Sequence, residues 1–150
     1  MTSSLAIASD HGGLQLKQAV TQALNAWGIA FEDLGTHDVS SCDYPDYAHQ
    51  LAEGVTSGRF SIGILICGTG VGMAMAANRH AGVRAAVVSD TYSARMAREH
   101  NDANVLCLGQ RVVGEGLALD IVRTWLATAA DSDPRHVRRV AKIDPSGSAP

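Results

Sequence analysis

A cysteine followed by a glycine-rich loop is the feature of this sequence with the clearest chemistry. Residues 67 to 72 read Cys-Gly-Thr-Gly-Val-Gly, directly after the apolar run Ile62–Ile66. Three alternating glycines let the chain turn tightly and expose N–H groups, and the stretch Met73–Ala77 is predicted to begin a helix whose positive end points back at the loop. Such a loop holds an anion or a developing negative charge, and its peptide dipoles favour the thiolate form of Cys67.

Other polar residues are predicted at the same edge of a sheet. Asp10 and His11 come directly after the first apolar run and precede two glycines, and Asp90 follows a later run. Because ligands gather outside the carboxyl ends of strands in an open parallel sheet, these side chains are expected beside the Cys67 loop. An Asp in front of a helix is equally often an N-cap, so both roles stay open for Asp10.

A second polar cluster, His100-Asn101-Asp102-Ala103-Asn104, comes before a predicted strand. It is therefore expected at the opposite, amino edge of its own sheet, and a five-residue strand separates the two edges by roughly 17 Å. If His100 and Asn101 serve the Cys67 site, a second subunit is expected to bring them. The active site would then lie across a dimer interface.

A basic patch near the C-terminus contrasts with the slightly acidic chain. It consists of Arg135, His136, Arg138 and Arg139. A solvated helix face is the simplest interpretation. However, Arg135 and Arg139 are four residues apart, where like charges disfavour a helix by roughly 0.2 to 0.5 kcal/mol, and a bound dianion such as phosphate would offset that repulsion.

The elements that position these groups alternate between short apolar runs and amphipathic stretches. The pattern predicts five strands, at Leu5–Ser9, Ile29–Leu34, the run ending at Cys67, Arg84–Ser89 and Val105–Leu108. It predicts helices at Leu14–Trp27, from Pro45 to Val55, from Met73, at Thr91–Glu99 and at Gly116–Ala129. Because parallel strands need crossover helices, this alternation predicts an α/β fold with a parallel sheet covered on both faces.

Composition predicts one domain without a general affinity for polyanions. The 150 residues are 46% hydrophobic and 18% charged, which suits one compact core. A net charge of −3 and a pI near 6.0 predict neither nucleic-acid nor membrane binding. The absence of a basic leader and of a bilayer-length apolar run makes the cytoplasm the expected location. Residues 1–144 are predicted to form the domain, including a C-terminal basic helix, and residues 145–150 a flexible tail.

Cysteine usage predicts reduced thiols. Cys42, Cys67 and Cys107 are odd in number and lack CxxC spacing, which argues against a disulfide framework and against a structural zinc site. Cys107 lies inside an apolar run with no glycine loop behind it and is expected to be an inert buried thiol. Cys42 lies in a polar loop and receives no role.

Five segments resemble, in order, the signatures of the type B ribose-5-phosphate isomerases and their galactose-6-phosphate isomerase relatives. The segments are Ser9–Gly13, Asp43–Ala48, Cys67–Gly72, His100–Asp102 and Gly109–Gly114. The resemblance runs from the first strand to about Asp144. It implies a Rossmann-like αβα three-layer sandwich with a five-stranded parallel sheet, a homodimer or dimer of dimers, and interconversion of an aldose phosphate with its ketose without metal or cofactor.

The resemblance also implies catalytic roles, position by position. Cys67 would be the base that moves a proton between C1 and C2, and Thr69 would assist at the substrate oxygens. The cis-enediolate would be held by the amides of Gly68, Thr69, Gly70, Val71 and Gly72. His100, oriented with Asp10, would open the sugar ring. Some relatives instead use a glutamate just after the loop, where this chain has Met73, so the chain resembles the thiol branch.

Binding roles follow in the same way. Asn101 and Asp10 would position substrate hydroxyls, and Tyr44 would line the site. The phosphate contacts implied by the resemblance are His11, Arg111, Arg135 and Arg139.

Ribose 5-phosphate and ribulose 5-phosphate are the expected substrates, with tetrose 4-phosphates, allose 6-phosphate and galactose 6-phosphate as alternatives. A non-catalytic sugar-phosphate-binding module is a further alternative. A dinucleotide site fits poorly, because the loop spacing is G-x-G-x-G and Asp90 lies beyond a further strand. A metal site also fits poorly, because no helix-spaced ligand pair occurs among Asp10, His11, His37, Asp38, His100 and Asp102.

Overall fold

A sheet of five parallel strands forms the centre of the fold in a computed structural model that describes residues 4–145. The strands are β1 (Leu5–Ser9), β2 (Phe31–Asp33), β3 (Ile62–Cys67), β4 (Ala85–Val87) and β5 (Val105–Gly109). Their order across the sheet is β2-β1-β3-β5-β4, and every pairing is parallel.

Helices cover both faces of the sheet. They are α1 (Leu14–Ala26), α2 (Tyr44–Thr56), α3 (Val71–Ala77), α4 (Thr91–Glu99), α5 (Glu115–Ala127) and α6 (Pro134–Val140). Apolar residues of α1, α4 and α5 pack in one core cluster, and those of α2 and α3 pack in the other. The predicted αβα sandwich with a five-stranded parallel sheet is therefore confirmed.

Both edge strands are shorter than predicted. β2 covers only Phe31–Asp33 of the predicted Ile29–Leu34, and β4 covers only Ala85–Val87 of the predicted Arg84–Ser89. Each edge strand pairs with only one neighbour, and only three residues of each make that pairing. The length of an edge strand therefore depends on how many residues its neighbour can pair with, and not on the length of its own apolar run. Apolar patterning does not reveal this limit.

Two helix boundaries also differ from the prediction. The helix expected from Met73 begins two residues earlier, at Val71, because Gly70 takes a left-handed conformation and ends the loop there. The helix expected at Gly116–Ala129 covers Glu115–Ala127, and the extended backbone of Thr128 ends it.

The central strand β3 contributes side chains to both core clusters. Alternate side chains of β3 point to opposite faces, so Ile64 and Ile66 join the cluster that contains Trp125, whereas Leu65 and Cys67 join the cluster that contains Met73. Full burial of such aliphatic side chains contributes about 1.5 to 3 kcal/mol each. The strand that ends at Cys67 is thus fixed by packing on both sides.

The path of the chain leaves a crevice at the carboxyl ends of β1 and β3. From β1 the chain passes through α1 to β2 on one side, and from β2 it passes through α2 to β3 on the other side. Since α1 follows β1 on one face and α3 follows β3 on the other, the connections after these two strands diverge. Ligands bind at such switch points in open α/β sheets.

An ion pair between a buried lysine of α1 and an aspartate of β2 lies beside the crevice. Lys17 is only 1% exposed, and its ammonium contacts the carboxylate of Asp33 at the end of β2. The same carboxylate oxygen accepts the N–H of Gly35 at 2.9 Å. Removing Asp33 would leave the buried ammonium of Lys17 unpaired, which typically costs about 3 to 5 kcal/mol, whereas Asp33 itself is partly exposed.

Within residues 4–145 no helix is both long and apolar enough to cross a membrane. The predicted flexible tail, residues 145–150, lies outside the described residues apart from Pro145. The predicted extent of the domain, residues 1–144, stays a prediction.

The pH dependence of stability tests the burial of Cys107. Burial in β5, and next the charge of nearby Cys67, raise the pKa of the Cys107 thiol far above its usual value. The folded state then keeps a proton that the unfolded state releases above an unfolded pKa of about 8.5, so stability falls as pH rises past that value. Between about pH 8.5 and 10 the extra fall in unfolding free energy relative to Cys107→Ala should steepen from about 0.7 toward about 1.4 kcal/mol per pH unit.

Urea unfolding at several pH values under reducing conditions measures how the unfolding free energy of the wild type and of Cys107→Ala depends on pH. The matched control is Cys42→Ala, which removes a half-buried loop thiol and should keep the wild-type slope. Parallel profiles for the wild type and Cys107→Ala would contradict the prediction.

Candidate active site

The sulfur of Cys67 is held by the loop that follows it. Cys67 is the last residue of β3 and is 5% exposed. Its Sγ accepts a hydrogen bond from the N–H of Gly70 at 3.0 Å. Gly70 has φ of 81°, a conformation that disfavours any side chain, and this turn directs its amide back toward the sulfur. The loop therefore presents a peptide donor to a thiol, as the sequence predicts.

The connection after β5 lies against this loop and brings Arg111 to it. The N–H of Gln110 donates to the carbonyl of Cys67 at 2.9 Å, and the N–H of Arg111 donates to the carbonyl of Gly68 at 3.0 Å. The Arg111 side chain passes within 3.7 Å of the position that a Cβ on Gly68 would take. An exposed guanidinium thus stands beside the predicted anion loop.

Gln110 has a positioning contact that sequence reasoning did not assign. Its side-chain Oε1 accepts the N–H of Leu16 in the first turn of α1 at 3.0 Å. This bond ties the β5 connection to the helix that follows β1. The only signal in the sequence was the presence of Gln110 inside a matched motif.

The turn after β1 supplies Asp10 and His11. Asp10 is 7% exposed, and its Oδ1 accepts the N–H of Gly13 at 3.1 Å, so the capping role is present for one carboxylate oxygen. The turn lies close to the Cys67 loop, because a Cβ on Gly12 would lie 3.5 Å from the amide nitrogen of Gly68. His11 is exposed, and its Nδ1 accepts the backbone N–H of Cys42 at 3.2 Å.

Tyr44 and Thr69 complete this side of the site. Tyr44 is the first residue of α2, and its ring lies against Gly72, where an added Cβ would lie 2.7 Å from Cζ. Thr69 is exposed at the loop tip, and its Oγ1 accepts the N–H of Val71 at 3.3 Å. We call the residues gathered here the carboxyl-edge group: Asp10, His11, Tyr44, Cys67, the loop Gly68–Gly72 and Arg111.

His100 and Asn101 lie at the other edge of the sheet. The carbonyl of Asn104, at the end of their turn, accepts the N–H of Gly63 near the start of β3 at 2.9 Å. Asp102 has φ of 44°, and its carboxylate bonds the guanidinium of Arg84 at 2.9 Å. It also bonds Arg98 at 3.1 Å, so two cations fix the turn that presents His100.

His100 stacks on a buried histidine. Its ring lies 4.2 Å, centroid to centroid, from the ring of His136, which is 7% exposed. The Nδ1 of His136 lies 3.0 Å from Oδ2 of Asp131. A hydrogen bond from the Asp133 amide, and next its contact with His136, lower the pKa of Asp131. Together these residues line a cavity of about 320 Å³ between α4 and α6.

The two predicted phosphate arginines lie on α6, which lines this cavity with His136, Val137 and Val140. Arg135 and Arg139 are exposed, and the guanidinium of Arg135 lies 3.4 Å from Nε2 of His136. The carboxylate of Asp133 is 3.9 Å away, a surface pairing of little energy. We call His100, Asn101, Arg135, His136 and Arg139 the amino-edge group. One chain therefore keeps the predicted site residues in two groups, at opposite edges of its sheet.

Two other polar residues have local structural roles. Asp90 caps α4, accepting the N–H of Ser93 at 2.7 Å, and this bond is the main cause that lowers the pKa of Asp90. Asp38 accepts the N–H of Ser40 at 2.7 Å, which likewise lowers the pKa of Asp38. In the part of the chain that the structure describes, no three His, Cys, Asp or Glu side chains converge on a possible metal position.

The carboxyl-edge group has the features of an enzyme site that holds an anion beside a thiol, on a parallel α/β sheet. The profile of the Ribose/Galactose Isomerase family matches residues 5–143. The chain belongs to this family.

Similar proteins agree with that assignment. Ribose-5-phosphate isomerase B of Escherichia coli strain K12 is 47% identical over 139 residues, covering 93% of each protein. The structure of Clostridium thermocellum ribose-5-phosphate isomerase B aligns with a TM-score of 0.90 and 53% identity, over 93% of this chain and 94% of that one. Ribose-5-phosphate isomerase B of Mycoplasma genitalium, solved with bound ribulose-5-phosphate, aligns with a TM-score of 0.89 and 43% identity over 95% of each chain.

The predicted family and the predicted enzyme class, an isomerase, are thereby confirmed. The roles of single residues stay predictions.

Substitution of Gly70 tests the Cys67 loop. Gly70→Ala should lower the free energy of unfolding by about 1 to 2 kcal/mol, because alanine disfavours the left-handed backbone conformation at this position. The loss of stability should be larger still, because the new Cβ would lie 3.0 Å from the backbone of Leu108. The shifted amide would also leave the sulfur, so isomerase turnover should fall.

The matched control is Gly58→Ala, which has φ of 77° and no atom within 4 Å of the new Cβ. This variant should lose only the stability that the left-handed backbone costs, and its turnover should match the wild type. Urea unfolding and initial rates measure both effects, and equal behaviour of the two variants would contradict the prediction.

Proposed function

We propose that this protein is an aldose–ketose isomerase that interconverts D-ribose 5-phosphate and D-ribulose 5-phosphate, a reaction of the pentose phosphate pathway. The observation that carries the proposal is the Cys67 sulfur, held by a loop amide at 3.0 Å and flanked by Arg111 and Asp10. The names of the E. coli and C. thermocellum relatives and the ribulose-5-phosphate bound to the M. genitalium enzyme support the choice of sugar.

In this mechanism Cys67 is the base. The hydrogen on the carbon next to an aldehyde is only weakly acidic, so a base must approach it closely and the resulting negative charge must be stabilised. The thiolate would take the proton from C2 of the open-chain aldose and return it to C1, with the electrons passing through a cis-enediolate, while the hydroxyl proton on O2 moves to O1 so that C2 becomes the carbonyl. Cys67 ends a buried strand and is 5% exposed, so its sulfur is largely shielded from water.

The loop amides supply the charge stabilisation. Peptide N–H groups between Gly68 and Gly72 are fixed by the turn before the reaction begins, so they need little reorganisation when negative charge develops on the enediolate oxygens. Loss of one such donor typically costs about 2.7 to 4 kcal/mol of transition-state stabilisation. Thr69, exposed at the loop tip, would add a hydroxyl to the same oxygens.

Ring opening would require both edge groups. The proton of the C2 position becomes acidic only when the sugar is open, and His100 would move the proton that opens the ring, with Asp10 orienting it. These residues stand at opposite edges of one sheet, roughly 17 Å apart for a five-residue strand. We therefore propose a homodimer in which the amino-edge group of one subunit meets the carboxyl-edge group of its partner, with Asn101 placing sugar hydroxyls.

An exposed apolar surface supports a second copy of the chain. Val71 and Met75 of α3 are 44% and 66% exposed, and Val87 of the edge strand β4 is 43% exposed. α3 packs beside β4, so these side chains form a patch next to the Cys67 loop. Burying the patch against another copy would contribute to dimer stability in proportion to its apolar area.

The phosphate would be bound by hydrogen-bond donors from both groups, three of them arginines. His11 and Arg111 belong to the carboxyl-edge group, and Arg135 and Arg139 belong to the amino-edge group. All four are exposed in the single chain, and arginines bind phosphate through paired hydrogen bonds. Convergence on one dianion would compensate the repulsion among the three arginines.

Isotope exchange tests the proposed reaction. Ribose 5-phosphate incubated with the protein in heavy water and a chelator should yield ribulose 5-phosphate carrying deuterium at C1, because the base exchanges its proton with solvent. Mass spectrometry and NMR measure both product and label. Cys67→Ala should lower kcat by about 10² to 10⁴, the range for a general base, whereas Cys107→Ala should retain most of the activity.

Each alternative has its own outcome in this assay. A binding module would show affinity for the sugar phosphate without turnover. Preference for another sugar would appear in parallel incubations with erythrose 4-phosphate, allose 6-phosphate and galactose 6-phosphate. No conversion of any of the four would refute the proposed isomerase.

Subunit mixing tests the shared site. Cys67→Ala and His100→Ala homodimers should each be nearly inactive, and a hybrid dimer should regain one intact site of its two. Mixing after mild dissociation should therefore restore up to about a quarter of wild-type activity, the statistical result of half the dimers having half their sites. Hybrids that form, as shown by mass spectrometry, yet recover no activity would count against the shared site.

A further inference from the structure

The polar loop between β2 and α2 passes directly over His11. The backbone nitrogen of Cys42 lies 3.2 Å from Nδ1 of His11, with geometry suitable for an N–H donor. The Cys42 thiol lies 3.8 Å from the same nitrogen. This contact joins a loop with no assigned role to a residue of the carboxyl-edge group.

The contact determines the protonation pattern of the imidazole ring. A peptide N–H can only donate, so Nδ1 of His11 must offer its lone pair to Cys42. A neutral imidazole carries one hydrogen, which must then be on Nε2. Among residues 4–145 the Nε2 atom of His11 has no hydrogen-bond partner, so its N–H is available to a ligand oxygen.

The loop is anchored on both sides of Cys42. On one side the N–H of Thr36 donates to the carbonyl of Ser9 at 2.7 Å, next to Asp10. Asp38 then closes a turn on Ser40, and on the other side Asp43 precedes α2. Because the loop is attached at these points, the Cys42 amide is a fixed donor rather than a group that follows the histidine.

We propose that the backbone amide of Cys42 is a positioning group, which holds His11 as its Nε2–H tautomer and orients that N–H for a phosphate oxygen. The inference rests on the proposed function, because it deepens the role of His11 in phosphate binding. A phosphate oxygen accepts hydrogen bonds, so the opposite tautomer would direct a lone pair at an anion and weaken binding. The thiol of Cys42 is not required.

NMR of the wild-type protein tests the tautomer directly. In uniformly ¹⁵N-labelled protein, ring nitrogen shifts and two-bond couplings should show His11 as Nε2–H, at a pH where the ring is neutral. A scalar coupling across the hydrogen bond should connect the Cys42 amide nitrogen with Nδ1 of His11. A hydrogen on Nδ1, or the absence of that coupling, would overturn the inference.

Two substitutions at position 42 separate the amide from the thiol. Cys42→Pro removes the N–H, so the coupling should vanish and both tautomers should appear. The Kd for inorganic phosphate should rise about twofold if the two tautomers are equally populated, and up to about fivefold, the factor of one net hydrogen bond, if the ring also loses its orientation. Cys42→Ala keeps the N–H and removes only the thiol, so the coupling, the tautomer and the phosphate affinity should match the wild type.

The results have separate meanings. If Cys42→Ala behaves like Cys42→Pro, or if Cys42→Pro loses the coupling but binds phosphate normally, the positioning role is overturned. If Cys42→Pro does not fold, the wild-type spectrum still decides, because it needs no variant. Failure of the proposed function would instead appear as absence of ketose in the heavy-water assay, whatever the state of His11.

Discussion

Direct backbone contact among the connections after β1, β3 and β5 is the constraint on which the site depends. A Cβ on Gly13 would lie 2.5 Å from the carbonyl oxygen of Ile66, and a Cβ on Gly109 would lie 2.7 Å from the backbone of Thr69. Only glycine leaves room for such an approach. Because the three connections touch, Asp10, Cys67 and Arg111 come from distant parts of the sequence yet share one rigid framework, which is what precise placement of catalytic groups requires.

The distribution of charge follows the same architecture. The carboxyl-edge group contains a buried thiol, a carboxylate that caps a helical turn, and one guanidinium. The amino-edge group contains two exposed arginines and a histidine that stacks on His136. Asp102 bonds both Arg84 and Arg98, so the turn carrying His100 is held by charge, while the Cys67 loop is held by peptide hydrogen bonds. Neither group alone combines a base, a ring-opening acid and a complete set of phosphate ligands, which gives the proposed dimer its chemical reason.

Much of this arrangement could be predicted from the sequence, because burial and glycine patterns are local signals. The run before Cys67 and the amphipathic stretch at Thr91–Glu99 gave correct elements, and the opposite placement of His100 followed from the alternation of strands and helices. Edge-strand lengths were wrong because they depend on a neighbour's register. The contacts of Gln110 with Leu16 and of Cys42 with His11 were missed because they join residues 94 and 31 positions apart, and no period in the sequence encodes such pairs.

The burial of Lys17 has a practical consequence for handling the protein. The sequence contains only two lysines, Lys17 and Lys142, and the first is enclosed and bound to Asp33. Lys142 is exposed just beyond α6. Amine-directed dyes, biotin reagents or resins should therefore select Lys142 over every other side chain. Attachment there would mark the amino-edge side of the molecule, so a fluorophore beside α6 would report on the approach of a second subunit in the proposed dimer without a newly engineered anchor.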